Sequence, residues 1–328
     1  MKRTYLCAAI LCSIVVAGMQ AGLEAQEGNT PRVANKTGDA NGHVLDPAIE
    51  MAKKALANSQ ANIRDYSCTL VKRERIDGEL KPYDYIYTKI RNRKVENGKT
   101  VQPFSVYMYF LRPAEAKGRE VIYVEGRDEG KMCAHEGGRV GNIVPNLWLD
   151  PKGLVAMKGQ RYPLTEVGLE NLMVQLVTRA ERDRKRGECK VQFRRNAQVN
   201  GRKCTVIQVV HPTRRDYFDF HVAQIFVDDQ LQVPIRYAAY DWPTSEGERP
   251  ALIEEYTYLN LKVNVGLSDA DFDGTNKNYN FEEAIPIFLG FEFRAVWVTA
   301  QRHGTIYLLC DRPNSPAAIE KQLLIACG

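Results

Sequence analysis

Residues 83–112 read YDYIYTKIRNRKVENGKTVQPFSVYMYFLR, and their alternation decides the fold class. Tyr83, Tyr85 and Tyr87 share one face of an extended chain, while Ile86 and Ile90 share the other. In the next strand Phe104, Val106, Met108 and Phe110 alternate with Ser105, Tyr107, Tyr109 and Leu111. Both faces of that strand are partly apolar, so something covers or fills each one; a sheet wetted on one side has no need of this. Asn97-Gly98 supplies the hairpin signal between them.

The period of two extends outward from this pair. Strand runs are expected near 66–76, 80–95, 102–112, 119–126 and 131–135, and again near 190–199, 202–210, 222–228, 231–240 and 251–264. Asn200-Gly201 reads as a two-residue turn that places Cys204 opposite Ala197. Residues 145–163, with three prolines and two glycines, read as a long loop. Two helices interrupt the strands. One is predicted over 47–63, with Asp46 as N-cap, Pro47 in the first turn, and Ile49, Ala52, Leu56 and Ile63 on one side. The other is predicted over 166–186, with Leu169, Leu172, Met173, Leu176, Val177 and Ala180 at helical spacing. Thr165 is its expected cap and Gly187 its stop. Strands joined by short turns, no long repeat and two helices predict an α+β fold, mainly β, built on a large antiparallel sheet.

The ends differ from the body. Lys2 and Arg3, an apolar run from Tyr5 to Val16, and small residues before Ala21 or Ala25 form the three-part pattern of a secretory signal over 1–25. The run is too short to span a bilayer. Residues 26–45 are polar and read as a disordered linker. The β domain is expected over 46–281, followed by a tail over 282–328 whose apolar run is interrupted by Pro286, Glu292 and Arg294.

A formal net charge of +5 on 328 residues, with signs mixed along the chain, gives no reason to expect nucleic acid. It permits peripheral contact with an anionic membrane surface. Export makes disulfides possible, but Cys68, Cys133, Cys189 and Cys204 are widely spaced and their connectivity stays open.

Candidate chemistry is sparse. Cys133 and His135 lie on one strand face, where a base can serve a thiol nucleophile. His135-Glu136 opens a zinc-protease-like pattern, but its fifth position is Arg139 and Gly137-Gly138 breaks the helix it needs. His211, Asp216, Asp219 and His221 are the densest set of metal-ligand types, yet Arg214 and Arg215 sit among them. No phosphate-binding glycine loop or serine-nucleophile motif is present. The tyrosines at 83, 85, 87, 107 and 109 suit cross-strand packing, or the wall of an acyl-chain groove.

The stretch from Gln232 to Phe272 adds a resemblance. Val233-Pro234 opens a strand, Glu246-Gly247 turns it, and Tyr256-Thr257-Tyr258-Leu259-Asn260-Leu261-Lys262-Val263-Asn264 returns to Gly266-Leu267-Ser268-Asp269 and Phe272. This is similar to the C-terminal hairpin of periplasmic lipoprotein carriers of the LolA type. Asp65-Tyr66-Ser67-Cys68-Thr69-Leu70 and Asn278-Tyr279-Asn280-Phe281 resemble a family known as domain of unknown function 1571, over roughly 46–281. The resemblance implies a LolA-like incomplete antiparallel barrel with helices across its concave face. In the carriers that space holds lipoprotein acyl chains, and sensor relatives detect lipids or misfolded envelope proteins. The chain departs from the carriers in a longer, Arg-rich middle, with no counterpart to their lid-closing arginine.

The expectation is therefore an exported, non-enzymatic protein of the periplasm or cell envelope, with no cofactor. It binds a lipid or acylated ligand in an apolar groove formed by Phe104, Val106, Met108 and Phe110 under Leu172, Met173 and Leu176. A protein-binding or stress-sensor module is the alternative, and an enzyme built on Cys133 and His135 or on the His211–His221 cluster stands last.

Overall fold

The computed structural model describes residues 42–141, 144–281, 307–308 and 323–324. The expected signal, most of the linker and most of the tail lie outside the described residues. The chain divides into units of 1–282 and 283–328. In the second, Tyr307–Leu308 pairs antiparallel with Leu323–Leu324. In the first, no helix among the described residues is long and apolar enough to cross a membrane.

The first unit opens with α1 (Asp46–Asn62), then β1 (Asp65–Ile76), β2 (Glu79–Leu80), β3 (Asp84–Arg91), β4 (Lys94–Glu96), β5 (Lys99–Gln102), β6 (Ser105–Arg112), β7 (Glu120–Val124) and β8 (Met132–His135). Short elements follow: α2 (Gly138–Gly141), β9 (Leu147–Leu149) and α3 (Leu154–Met157). After α4 (Leu169–Arg184) come β10 (Lys190–Val199), β11 (Arg202–Val210), β12 (Val222–Asp228), β13 (Pro234–Tyr240) and β14 (Leu252–Val263). The sheet order is β10-β11-β12-β13-β14-β1-β3-β6-β7-β8-β9, with β2 beside β1. Every pairing is antiparallel, and β10 and β9 are its two free edges, so this is a curved open sheet and not a closed barrel.

Alternation sorts the side chains as the sequence implies. Ile86, Ile90, Val106 and Met108 are buried with Tyr66, Leu70, Leu169 and Met173 beneath α4. Tyr107, Ile122, Val124 and Cys133 point the other way, and the segment carrying Phe272, Tyr279 and Phe281 covers them. Tyr279 stacks on Tyr107 at 4.0 Å between ring centres. Lys89 reaches Asp271 at 2.8 Å, and Arg91 reaches Asp269 at 2.6 Å, pinning this cover to the sheet. Glu120, fully buried, accepts hydrogen bonds from the Tyr107 hydroxyl (2.9 Å) and the Asn280 amide (3.1 Å).

Asn200 and Gly201 have φ of 49° and 76°, the left-handed pair that a type I′ turn requires, and Cys204 stands opposite Ala197. Three local expectations need correction. Leu45, not Asp46, precedes the first helical residue, and the Asp46 carboxylate instead accepts from the His43 amide and pairs with Arg184. The loop expected over 145–163 contains β9 and α3. Thr165 does not cap α4, and its hydroxyl is buried without a hydrogen bond.

The cap of α4 comes from the sheet. Gly168 takes the N-cap position at φ 110°, and the Leu169 amide donates to the Tyr66 hydroxyl at 2.8 Å. A Cβ on Gly168 would sit 2.9 Å from that same oxygen, so glycine is required by both backbone and space. Removing the acceptor by Tyr66→Phe leaves a buried amide unpaired, and we expect a loss of about 1–3 kcal/mol in urea unfolding. An unchanged midpoint would show that the tyrosine contributes only packing.

Candidate ligand-binding site

Phe104, Val106, Met108 and Phe110 lie in a packed core with Leu169 and Met173; each of the four is at most 9% exposed. Side chains fill the space between β6 and α4. Leu172 is partly buried between this core and a second one, and Leu176 belongs to the second. The structure thus separates the strand residues of the expected groove from Leu176, while Met173 packs in their core and also borders, with Leu176, a second place.

That place is a cavity of about 70 Å³ between α1, α4 and strands β11–β13. Ala48, Ala52 and Ala55 of α1 line it at helical spacing, facing Met173, Leu176 and Ala180 of α4. Val209, Ala223, Ile225 and Pro234 form the sheet wall. Alanine where larger side chains fit elsewhere leaves the space open. Leu45, at the end of the expected polar linker, is buried at 1% exposure and also lines the cavity.

The two helices run antiparallel, as their links show: Ser59 bonds Glu170, Lys53 pairs with Glu181, and Asp46 pairs with Arg184. The end near Ser59 and Leu169 is fixed to the sheet through Tyr66. The cavity lies under the opposite end. There Arg179 donates to the hydroxyls of Tyr162 (2.8 Å) and Tyr237 (3.2 Å), and pairs with Asp219 at 3.5 Å and Glu254 at 3.6 Å. Burial alone would lower its pKa, but the tyrosine hydroxyls and the Glu254 carboxylate outweigh it and hold the guanidinium above its ordinary range. Sequence reading passed over Arg179, because its partners lie on β13, β14 and the 145–163 segment.

Asp183, one turn further on, faces His211 with 3.4 Å between carboxylate oxygen and Nε2. Both are almost fully enclosed. Burial raises the Asp183 pKa and lowers that of His211, so each is pushed toward its uncharged form. The Nδ1–H of His211 donates to the Phe220 carbonyl at 3.0 Å, and the ring stacks on Phe218 at 3.8 Å.

The rest of the suspected metal set scatters. His221 Nδ1 bonds the His211 carbonyl, Asp219 pairs with Arg179 and Arg182, and Asp216 lines an outer cleft. Among the described residues, no three of His, Cys, Asp and Glu are grouped to hold a metal. Cys133 is buried and its thiol is pushed up to about 11, chiefly by burial, so it stays protonated at neutral pH. His135 does have an orienting amide, which the sequence did not reveal: Asn146 Oδ1 lies 2.9 Å from Nδ1. Asn146 in turn donates to the Phe281 carbonyl at 2.7 Å, which ties this pair to the covering segment.

The family model described as "Protein of unknown function (DUF1571)" matches residues 63–281, and the chain belongs to that family. No curated protein matches the sequence. Among solved structures, a DUF1329 family protein from Desulfovibrio piger is 14% identical, covering 71% of this chain and 98% of its own at a TM-score of 0.35. The MucA/MucB complex of Pseudomonas aeruginosa is 13% identical over 83% of this chain and 72% of that one, at 0.40. A LolA superfamily protein from Nitrosomonas europaea is 12% identical over 68% and 97%, at 0.27. Likeness at this level carries no information about a ligand.

The Asp183–His211 pair sets a pH dependence. Native His211 takes up a proton less readily than an unfolded histidine, whose pKa is about 6.5. Its contribution is full above that pH and is lost as pH falls through and below it. The raised Asp183 acts in the opposite sense, since acid favours its protonated native form. Because the two oppose, the reading lies in the difference: from pH 7.5 to 5.5 we expect the urea midpoint to fall further in the wild type than in His211→Gln, which keeps only the Asp183 contribution. The same slope in that variant would mean His211 titrates like an exposed histidine.

Proposed function

We propose that this member of the DUF1571 family binds the acyl chain of a lipid or acylated protein between its helix pair and strands β11–β13. The observation that carries this reading is the apolar cavity under the end of the helix pair that polar contacts of Arg179, rather than a backbone cap, tie to the sheet. Ligand pockets usually measure several hundred Å³, so the cavity has to widen from about 70 Å³ as it fills. Geometry supplies the route. With one end of α4 anchored at Tyr66, the other swings from the sheet once Arg179 lets go of Asp219, Glu254 and the hydroxyls of Tyr162 and Tyr237, and Arg182 of Asp219. Charged latches over an apolar interior suit this task, because water solvates the parted ions while the ligand replaces the lost apolar contacts.

Among the described residues, the thiol of Cys133 is buried and protonated and the His211 set is scattered, so neither candidate lends support to an enzymatic reading. The expected export to the periplasm or cell envelope accords with binding of this kind, where acylated ligands need shielding from water.

One observation favours a second reading, a protein-binding or sensor module. Around edge strand β9, Trp148 and Val155 are each 53% exposed and Leu154 93%, so apolar surface stands outside any fold requirement. Capture of an envelope protein by lipid-free protein, lost in Leu154→Asp, would favour it.

Filling the cavity separates the two. Ala180→Phe is expected to cost about 1–3 kcal/mol in stability through overpacking, and to abolish uptake of a fluorescent fatty acid by delipidated protein. Uptake that survives in a folded Ala180→Phe variant would exclude this cavity as the chain site.

A further inference from the structure

Building on the acyl-chain reading, we infer that the polar cleft beside the cavity holds a zwitterionic phospholipid headgroup, phosphate and ammonium together. The cleft measures about 440 Å³ and is lined by four arginines and four aspartates, with Trp242 and Phe218 among its other walls. Some of these charges are already matched. Arg161 pairs with Glu254 at 2.9 Å, Arg215 with Glu188 at 2.9 Å, and Asp219 with Arg182 at 3.0 Å.

The remainder have no ion-pair partner among the described residues. Arg75 donates only to the carbonyls of Leu252 and Gly78. Arg214 lies over the Trp242 ring at 5.8 Å. Asp77, Asp216 and Asp241 complete the set. Unmatched guanidiniums and carboxylates in one cleft select against a simple anion, which meets the aspartates, and against a simple cation, which meets the arginines. A group bearing both charges satisfies both: guanidinium binds phosphate through paired donors, and an ammonium suits a carboxylate or an aromatic face.

The cleft and the cavity share a wall. Phe218 and Asp219 face the cleft, and Phe220 faces the cavity. Arg179 lines the cavity and pairs with Asp219 across that wall. A headgroup in the cleft is therefore one ion pair away from a chain in the cavity, and the phosphate competes with Asp219 for Arg179. The headgroup would release the latch that the chain needs opened.

The test is displacement of a bound fluorescent fatty acid from the delipidated full chain. The competitors are lysophosphatidylethanolamine, lysophosphatidylglycerol with the same acyl chain, and the free fatty acid. The ethanolamine lipid is expected to displace the probe at about tenfold lower concentration than either of the others. Arg214→Gln and Asp216→Asn, both at exposed positions, should each erase that preference and leave fatty-acid binding as it was. Equal midpoints for the two lysolipids, with the fatty acid still bound, would overturn the headgroup site and leave the cavity reading standing. A protein that binds neither probe nor lipid would remove both. A preference that persists in both variants would place the headgroup elsewhere and refute the assignment.

Discussion

The hydrogen bond from the Leu169 amide to the Tyr66 hydroxyl joins the two layers of this molecule. Tyr66 is fully buried on a central strand, and it holds the first turn of the helix that roofs that strand. A side-chain cap from the helix's own sequence would leave α4 free to settle anywhere on the sheet. A cap from β1 fixes one end of the helix in position, and Gly168 lets the chain come close enough for the bond. The antiparallel links to α1 then carry that placement to the second helix.

The asymmetry of the roof follows. Near Tyr66 the contacts are apolar and interlocked, with Ile90, Leu169 and Met173 in one core. At the far end, alanines leave a cavity and the holding forces are ionic, through Arg179, Arg182 and Asp219. Apolar packing resists separation at every stage, whereas the exposed Arg182–Asp219 pair parts into water at a cost of roughly 1 kcal/mol or less, and the more enclosed Arg179 is the stronger hold. The buried Asp183–His211 pair lies between these regimes, enclosed but poorly bonded.

Much of the fold was legible. Alternation in 83–112 gave the strands and showed that β6 must be covered on both faces, and the cover proved to be the segment ending in Phe281. The Asn200-Gly201 turn and the apolar stripe of α4 were also plain. What remained hidden depends on strands distant in sequence. Thr165 stands where local rules put a cap, but the sheet supplies the acceptor instead. Phe104 and the β6 residues Val106, Met108 and Phe110 signal burial equally well whether a ligand or Met173 fills the space above them. Arg179 looked like one more basic residue near a helix end, because its partners Tyr162, Tyr237 and Glu254 meet it only after folding. The alanines at 48, 52 and 55 were present throughout, yet small residues on a helix read as tolerance for close packing rather than as space.

The order of the sheet places the two ends of the domain side by side at its middle: β1 pairs with β14, and Arg64 bonds Asn264 from 200 residues away. The edges belong to mid-chain strands. The β3 partner of β1 lies next to it in sequence, whereas β14 lies about 180 residues on, so β1 has an unpaired side until the end of the domain is present. A bare strand edge invites pairing with other chains. Here the waiting strand carries Lys72-Arg73-Glu74-Arg75, four consecutive charges that tolerate water and repel a stray hydrophobic partner. In the finished protein Lys72 and Glu74 are buried beside one another. There Glu74 also accepts from the Tyr256 hydroxyl and the Arg161 amide, so charges that would keep an unpaired β1 soluble find partners inside once β14 is in place.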